Sequence, residues 1–260
     1  MTYDTDIASE LLNKTEISSE KGVFVTNTEV NGVGVFKVNV TTACSALRKG
    51  NFITLDFPHF ATINHKSSAY INVLADELRA LLPEAGKTLV VGLGNPYLTA
   101  DSLGPKALTG LFVTGHLPQA TINELSLRRL YAFSCGVQAA SGISTNELLQ
   151  QMVQLIKPTC VICIDSLCAK SATRLGNCVQ ISTNGLCSLG KEPINMELLG
   201  VPVIGLGVPT VMRLAEDPTL SITPKDINII IKRASSLLAL GINCAVQKSL
   251  SLQEICLLTS

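Results

Sequence analysis

Two carboxylates stand at the ends of apolar runs. Asp101 follows Val90-Val-Gly-Leu-Gly-Asn-Pro-Tyr-Leu-Thr-Ala, where a strand-like run passes through a glycine turn into a helix start, and Asp165 closes Val161-Ile-Cys-Ile. Neighbouring carboxylates cannot both ionise cheaply, so a close pair shares a proton. The ionised member then activates a water while the protonated member polarises a carbonyl. Such a pair serves a hydrolase that has neither a metal nor a nucleophilic serine. The plainer alternative also stands: Asp101 caps the helix that follows it, and Asp165 closes a strand-end turn.

Other chemistries fit less well. The Gly92-x-Gly94-Asn95 turn exposes backbone N–H groups before a helix, as an anion site would, but Tyr97 occupies the third glycine position of a dinucleotide fingerprint. The P-loop sequence GK[ST] is also absent. Gly94 is better explained by close approach of a peptide, or of the oxygen developing on an attacked carbonyl. Asn95 is then either a side-chain donor to that oxygen or simply a turn residue. The three histidines, His59, His65 and His116, lie away from the expected core strand ends, which leaves a Ser/His/Asp triad unsupported. Ser134-Cys135-Gly136-Val137 is not a nucleophile elbow, and Cys135 is read as a packing residue. Cys160 and Cys163 form a CxxC, but within a strand they point to opposite faces, and no second pair follows at zinc spacing. Neither metal nor cofactor is expected.

Parallel strands must carry these carboxylates. Strands are expected at 88–93, 129–134, 159–165 and 201–206, with an extra one at Cys178-Val-Gln-Ile-Ser182. Between them lie a helix from about Ser102 to Gly115 and another from Ser144 to Ile156, whose Ser144-Thr-Asn-Glu147 reads as a capping box. A last helix starts with Thr223 as cap and Pro224 at its first position, and runs to about Val246. Upstream, short β-rich runs (Gly22-Val-Phe-Val-Thr, Gly32 to Val40, Asn51 to Phe57) suggest an antiparallel meander, followed by a helix from Ser67 to Leu82. The expectation is an α/β protein, a three-layer αβα sandwich on a mainly parallel sheet, with a small β-rich N-terminal subdomain. Residues 1–20 read as a leader, 21–84 as the β-rich segment and helix packed on the core, 85–248 as the catalytic core and 249–260 as a tail. In an open parallel sheet, ligands bind outside the carboxyl ends of the strands, where both aspartates fall.

With 47% hydrophobic residues in 260, the chain can bury a full core. Its 20 basic and 20 acidic residues cancel, so no overall field draws it to nucleic acid or to a membrane surface. Nine cysteines, an odd number set mostly in apolar runs, suit reduced thiols in a cytoplasmic protein. The N-terminus lacks the pattern of a signal peptide, and Leu198 to Met212, broken by glycines and prolines, is too short to span a bilayer.

The sequence resembles the spore germination proteases. The resemblance is carried in order by Leu89-Val-Val-Gly-Leu-Gly-Asn95 with Thr99-Ala-Asp-Ser-Leu-Gly-Pro105, Gly142-Ile-Ser-Thr-Asn-Glu147, Ile156 to Leu167, Val179-Gln-Ile-Ser182, Leu199 to Val211 and Ile222-Thr-Pro-Lys-Asp-Ile227. It implies an endopeptidase that degrades small acid-soluble spore proteins at germination, with a fold similar to the hydrogenase maturation proteases. It also implies an aspartic-type mechanism whose two aspartates map onto Asp101 and Asp165, a self-cleaving zymogen, a tetramer, and a place in the forespore and spore core. A maturation-type metallopeptidase of the same fold, or a member that binds spore proteins without cutting them, are the alternatives.

Family substrates are cut after an acidic residue and before a hydrophobic residue followed by alanine. Thr5-Asp6-Ile7-Ala8 supplies that pattern, and self-cleavage is expected between Asp6 and Ile7, with Tyr3 a mismatch where the family favours an acid. Cations near the aspartates in sequence, Lys106, Lys170 and Arg174, are candidates for holding acidic substrate positions. They read equally well as solvated surface charge. Compared with the family the chain is shortened after Ile181 and after Val211, and both places could line a substrate groove.

Overall fold

Asn31 and Gly32 both adopt positive φ (53° and 76°), the geometry of a two-residue hairpin turn that matches strand twist, and they join β1 (Val23–Val30) to β2 (Val33–Val40). The computed structural model describes residues 7, 10, 22–42, 48–186, 193–214 and 220–259. β3 (Gly50–Asp56) pairs antiparallel with β2 and then with β7 (Cys178–Ser182), from Phe52 opposite Ser182 to Asp56 opposite Cys178. The meander expected as a small subdomain is therefore continuous with the core sheet.

Among the described residues, that sheet has nine strands in the order β1-β2-β3-β7-β8-β6-β4-β5, with β9 (Ser221–Ile222) pairing on β8. Its parallel part consists of β8 (Val203–Arg213), β6 (Cys160–Ala169), β4 (Thr88–Leu93) and β5 (Leu130–Gly136). These strands are near-continuous apolar runs because both faces are covered. Cys160, Ile162 and Ile164 of β6 pack into one core with α1 (Ser68–Leu81) and α7 (Ile227–Val246). Val161 and Cys163 pack into another with Leu149 and Val153 of α5 (Thr145–Ile156). The two cysteines of the CxxC thus face opposite layers, as strand alternation requires.

α7 is the longest helix among the described residues. It is long and apolar enough to cross a membrane, yet 78% of its most apolar window is buried inside the molecule. Two fully buried polar residues, Asn243 within it and Gln247 just after its end, secure loops. Asn243 donates to the Gly110 carbonyl (2.9 Å) and accepts from the Phe112 amide (2.9 Å), while Gln247 accepts from the Arg128 amide and donates to its carbonyl. By capturing the backbone at 110–112, Asn243 holds the chain out of helix. The helix expected to reach Gly115 therefore ends early, as α2 (Leu103–Leu108). α3 (Gln119–Glu124) and α4 (Gln138–Ser141) are short helices before and after β5.

Three terminus expectations shift. α7 begins at Ile227 rather than Pro224, whose carbonyl instead closes a turn onto the Ile227 amide. Ser144 precedes α5 but makes no side-chain cap bond. A true capping box lies in the supposed tail: beyond α6 (Met196–Leu199), in α8 (Leu252–Leu258), Ser251 and Glu254 exchange bonds, and these hold the Glu254 carboxyl below its usual range.

Candidate active site

From β4 the chain crosses to β5 on one side and then returns as β6 on the other side of β4, so the carboxyl ends of β4 and β6 flank the point where the strand order reverses. A crevice opens there in sheets of this kind. Gly92 is paired with Ile164, which sets Leu93, the end of β4, beside Asp165; β6 does not end there as expected but runs on past β4 to Ala169, still paired with β8.

Glycines allow the loops over this crevice to close up. Gly94 has φ +102°, and a Cβ there would lie 2.0 Å from the Asp101 carbonyl oxygen. At the start of α2, a Cβ on Gly104 would meet the Leu93 carbonyl at 2.4 Å and the Ile164 carbonyl at 2.6 Å, so this helix turn rests on the end of β4 and on the middle of β6 at once. On the other side of β6, Gly207 of β8 leaves room for the Asp165 carbonyl, which a Cβ would approach to 2.6 Å.

Asp101 ends a single 3-10 turn, Thr99–Asp101. Its Oδ2 accepts the Asn95 amide at 2.7 Å, its own amide donates to the Leu98 carbonyl, and the fully buried Thr210 of β8 donates its hydroxyl to Ala100 at 2.8 Å. Ser102, also fully buried, donates to the Thr99 carbonyl at 2.8 Å. The turn is thus tied to its own loop and to a strand two positions away in the sheet. Asp165 is 7% exposed, and its Oδ1 accepts the Ser166 amide at 2.8 Å.

Both aspartates line one cavity of about 600 Å³, with Gly94, Ser166 and Cys168 beside them. That volume is within the usual range for small-molecule and active-site clefts, roughly 300–1,000 Å³. The buried hydroxyl of Ser166 has no hydrogen-bond partner among the described residues. Ser144, the N-cap of α5, and Thr145 and Asn146 of its first turn form part of the wall, where the helix presents the positive end of its dipole. Arg213, exposed at the end of β8, is the cation in the lining.

The chain matches the family described as "Germination protease" over residues 3–218. It belongs to the germination protease family. The germination protease of Clostridium acetobutylicum is 32% identical over 318 aligned residues, covering 96% of this chain and 97% of that protein. That of Clostridium tetani is 30% identical over 321 residues, covering 98% of each, and that of Priestia megaterium 34% over 244 residues, covering 87% of this chain and 65% of the relative. The two clostridial alignments are longer than the chain itself, so those relatives have segments that this chain lacks. Among solved structures, a [NiFe] hydrogenase maturation protease from Thermococcus kodakarensis resembles 63% of this chain and 96% of its own, at 16% identity and a TM-score of 0.39. The germination proteases are peptidases, and this member is one.

The residues singled out from sequence scatter. Asp101, Asp165 and Gly94 converge on the cavity. Asn95 is not in the lining: its side-chain oxygen accepts the Tyr97 amide at 3.0 Å, and its backbone amide donates to the Asp101 carboxylate. Lys106 faces a different cavity, and Arg174 is ion-paired with Asp56. Lys170 offers its backbone amide to Glu10, at 2.8 Å. Ile7 is fully buried against Ala169, Leu175 and Cys178, outside the cavity, and Asp6 lies outside the described residues. Cys135 is buried, with its thiol pushed up to about 12, an inert state. Arg213 and Thr210 were missed, although Arg213 ends an apolar run just as Asp165 does.

Proposed function

We propose that this peptidase is an aspartic-type endopeptidase that cuts small acid-soluble spore proteins after acidic residues in the germinating spore, with Asp101 and Asp165 as its catalytic pair. The observation that carries this reading is the convergence of the two carboxylates on one cavity. One aspartate, ionised, takes a proton from water as its oxygen attacks the scissile carbonyl carbon. The other, protonated, donates to the carbonyl oxygen, and collapse of the tetrahedral intermediate sends a proton to the departing amine. The cavity lining contains no histidine, which favours the paired carboxylates over a metal-dependent maturation-type reaction.

Specificity for acidic residues is consistent with the positive features of this otherwise acidic cavity, Arg213 and the N-terminal turn of α5. Arg213→Gln is expected to raise KM for an acidic site roughly tenfold or more, with a smaller effect on a peptide carrying Gln in place of the acid. Steady-state kinetics on the matched peptide pair measures this, and equal losses on both peptides refute the role.

The leader is read as a self-processed segment cut between Asp6 and Ile7. Ile7 is seated beside the end of β6, and the Glu10 carboxylate accepts the amides of Lys170 and Ser171 at 2.8 and 3.0 Å, a seat suited to holding the N-terminus left by cleavage. In the zymogen, Ile7 must leave this seat to reach an active site. Incubating the purified protein with a small acid-soluble spore protein and mass-mapping both partners tests the function. Cuts after acidic residues and a new N-terminus at Ile7 are expected, whereas an inert substrate or an intact N-terminus in fully active protein contradicts the corresponding part. The tetramer and the spore-core location are proposed on the same family likeness.

A further inference from the structure

A second cavity, of about 640 Å³, opens on the opposite side of α2 from the two aspartates, between α1, α2, α7 and α8. Lys66 reaches it from the residue before the α1 N-cap, Lys106 from α2 and Lys232 from α7. Its remaining polar lining is neutral: Thr109, Asn228, Ser235, Ser236 and Thr259. No aspartate or glutamate lines it, and none of the three lysines is in an ion pair among the described residues.

Lys66, Lys106 and Lys232 are exposed, and in a chain whose charges cancel they gather positive charge from separate elements around a concave, hydroxyl-lined space, which favours an anion there. The local potential is felt nearby: His65 is held below its ordinary value by burial and then by Arg233, Lys66 and Lys232. Lysine ammonium groups act as point charges toward phosphate and carboxylate oxygens, and hydroxyls and an amide complete such a shell. The floor, Gly110, Ala239 and Leu240, is flat and apolar, and Gly110 packs so tightly on α7 that a Cβ would lie 2.9 Å from that of Ala239.

We propose that this cavity binds a small multivalent anion, a phosphate ester or compact polycarboxylate, through Lys66, Lys106 and Lys232. Such a ligand bridges α2 to α1 and α7. Because α2 also rests on β4 and β6 through Gly104, occupancy stiffens the support of the aspartate pair. The inference does not depend on the reading of the aspartate cavity.

The test is calorimetric titration of the full chain with inorganic pyrophosphate and, separately, citrate, at matched ionic strength. Saturable one-to-one binding of at least one of them is expected, together with a raised melting temperature. Lys232→Gln is expected to weaken binding roughly tenfold, while Lys49→Gln, remote from the cavity, and Arg213→Gln, in the aspartate cavity, leave it unchanged. Whichever probe binds tighter identifies the ligand's chemistry. Absence of saturable binding by either, insensitivity to Lys232→Gln, or loss in Arg213→Gln instead overturns the proposal. So does displacement of the bound probe by short duplex DNA at lower concentration, which would mark a nucleic-acid surface.

Discussion

Asp165→Asn and Asp101→Asn each leave a folded protein that no longer cuts. The substitution keeps the shape of the side chain and an acceptor oxygen. The Ser166 amide can therefore still bond at position 165 and the Asn95 amide at position 101. What is lost is the ability to take or share a proton. An amide beside one remaining carboxylate can neither activate water as a base nor trade roles with its partner when the amine leaves. A fall in kcat of at least about a thousandfold is expected for each variant, and the double variant should be little worse than either single one, because the pair acts as a unit. Melting temperatures should stay within a few degrees of the parent. Cleavage kinetics on a spore protein, with circular-dichroism melting as the check on folding, decide the matter. A single variant that keeps more than about a tenth of the parent rate removes its aspartate from the reaction.

How much of this was legible in the sequence depends on the distance over which a feature is determined. A strand buried on both faces must be an unbroken apolar run, so the first polar residue after it marks a strand end. The alternation of strand and helix was visible for that reason, and so was the Asp101 turn after β4; at Asp165 the rule misplaced the strand end, because β6 continues to Ala169 beside β8. Pairing is settled by the whole fold, and it hid the rest. Nothing local says that β3 adds to β7, which turns the expected subdomain into one continuous sheet. Nor does anything local say that β8 lies beside β6, which brings Arg213 and Thr210 to aspartates far away in sequence. Lys106 and Arg174 lie close to the aspartates along the chain, yet Lys106 lines another cavity and Arg174 pairs with Asp56. Capping failed in the same way. Ser144-Thr-Asn-Glu147 has the right letters, yet the hydroxyl makes no cap bond, while Ser251 and Glu254 form the box at a helix that the sequence reading took for a tail.

Gly94→Ala is expected to disable the enzyme without touching a reacting atom. Two costs combine at this position. Its φ of +102° lies where an L side chain is strained, at about 1–3 kcal/mol, and the new Cβ would stand 2.0 Å from the Asp101 carbonyl oxygen and 3.0 Å from its Oδ1. The turn cannot simply step aside, because Thr210 holds Ala100, Ser102 holds Thr99 and the Leu98 carbonyl holds the Asp101 amide. Relief requires the turn to move by roughly an ångström or some of these bonds to break, and a displacement of that size at a catalytic group costs about a hundredfold in rate. The expected outcome is a loss of stability of about 2–4 kcal/mol and a kcat lowered about a hundredfold. Gly142→Ala separates the two costs: that glycine also has positive φ, +73°, but a Cβ there meets nothing within 4 Å. It should lose only about 1 kcal/mol and keep its activity. If Gly94→Ala behaves like Gly142→Ala in urea melts and in kinetics, the close approach of Gly94 to the Asp101 turn is not what positions the carboxylate. If it loses rate far beyond its loss of folded population, the glycine turn is a positioning element for Asp101.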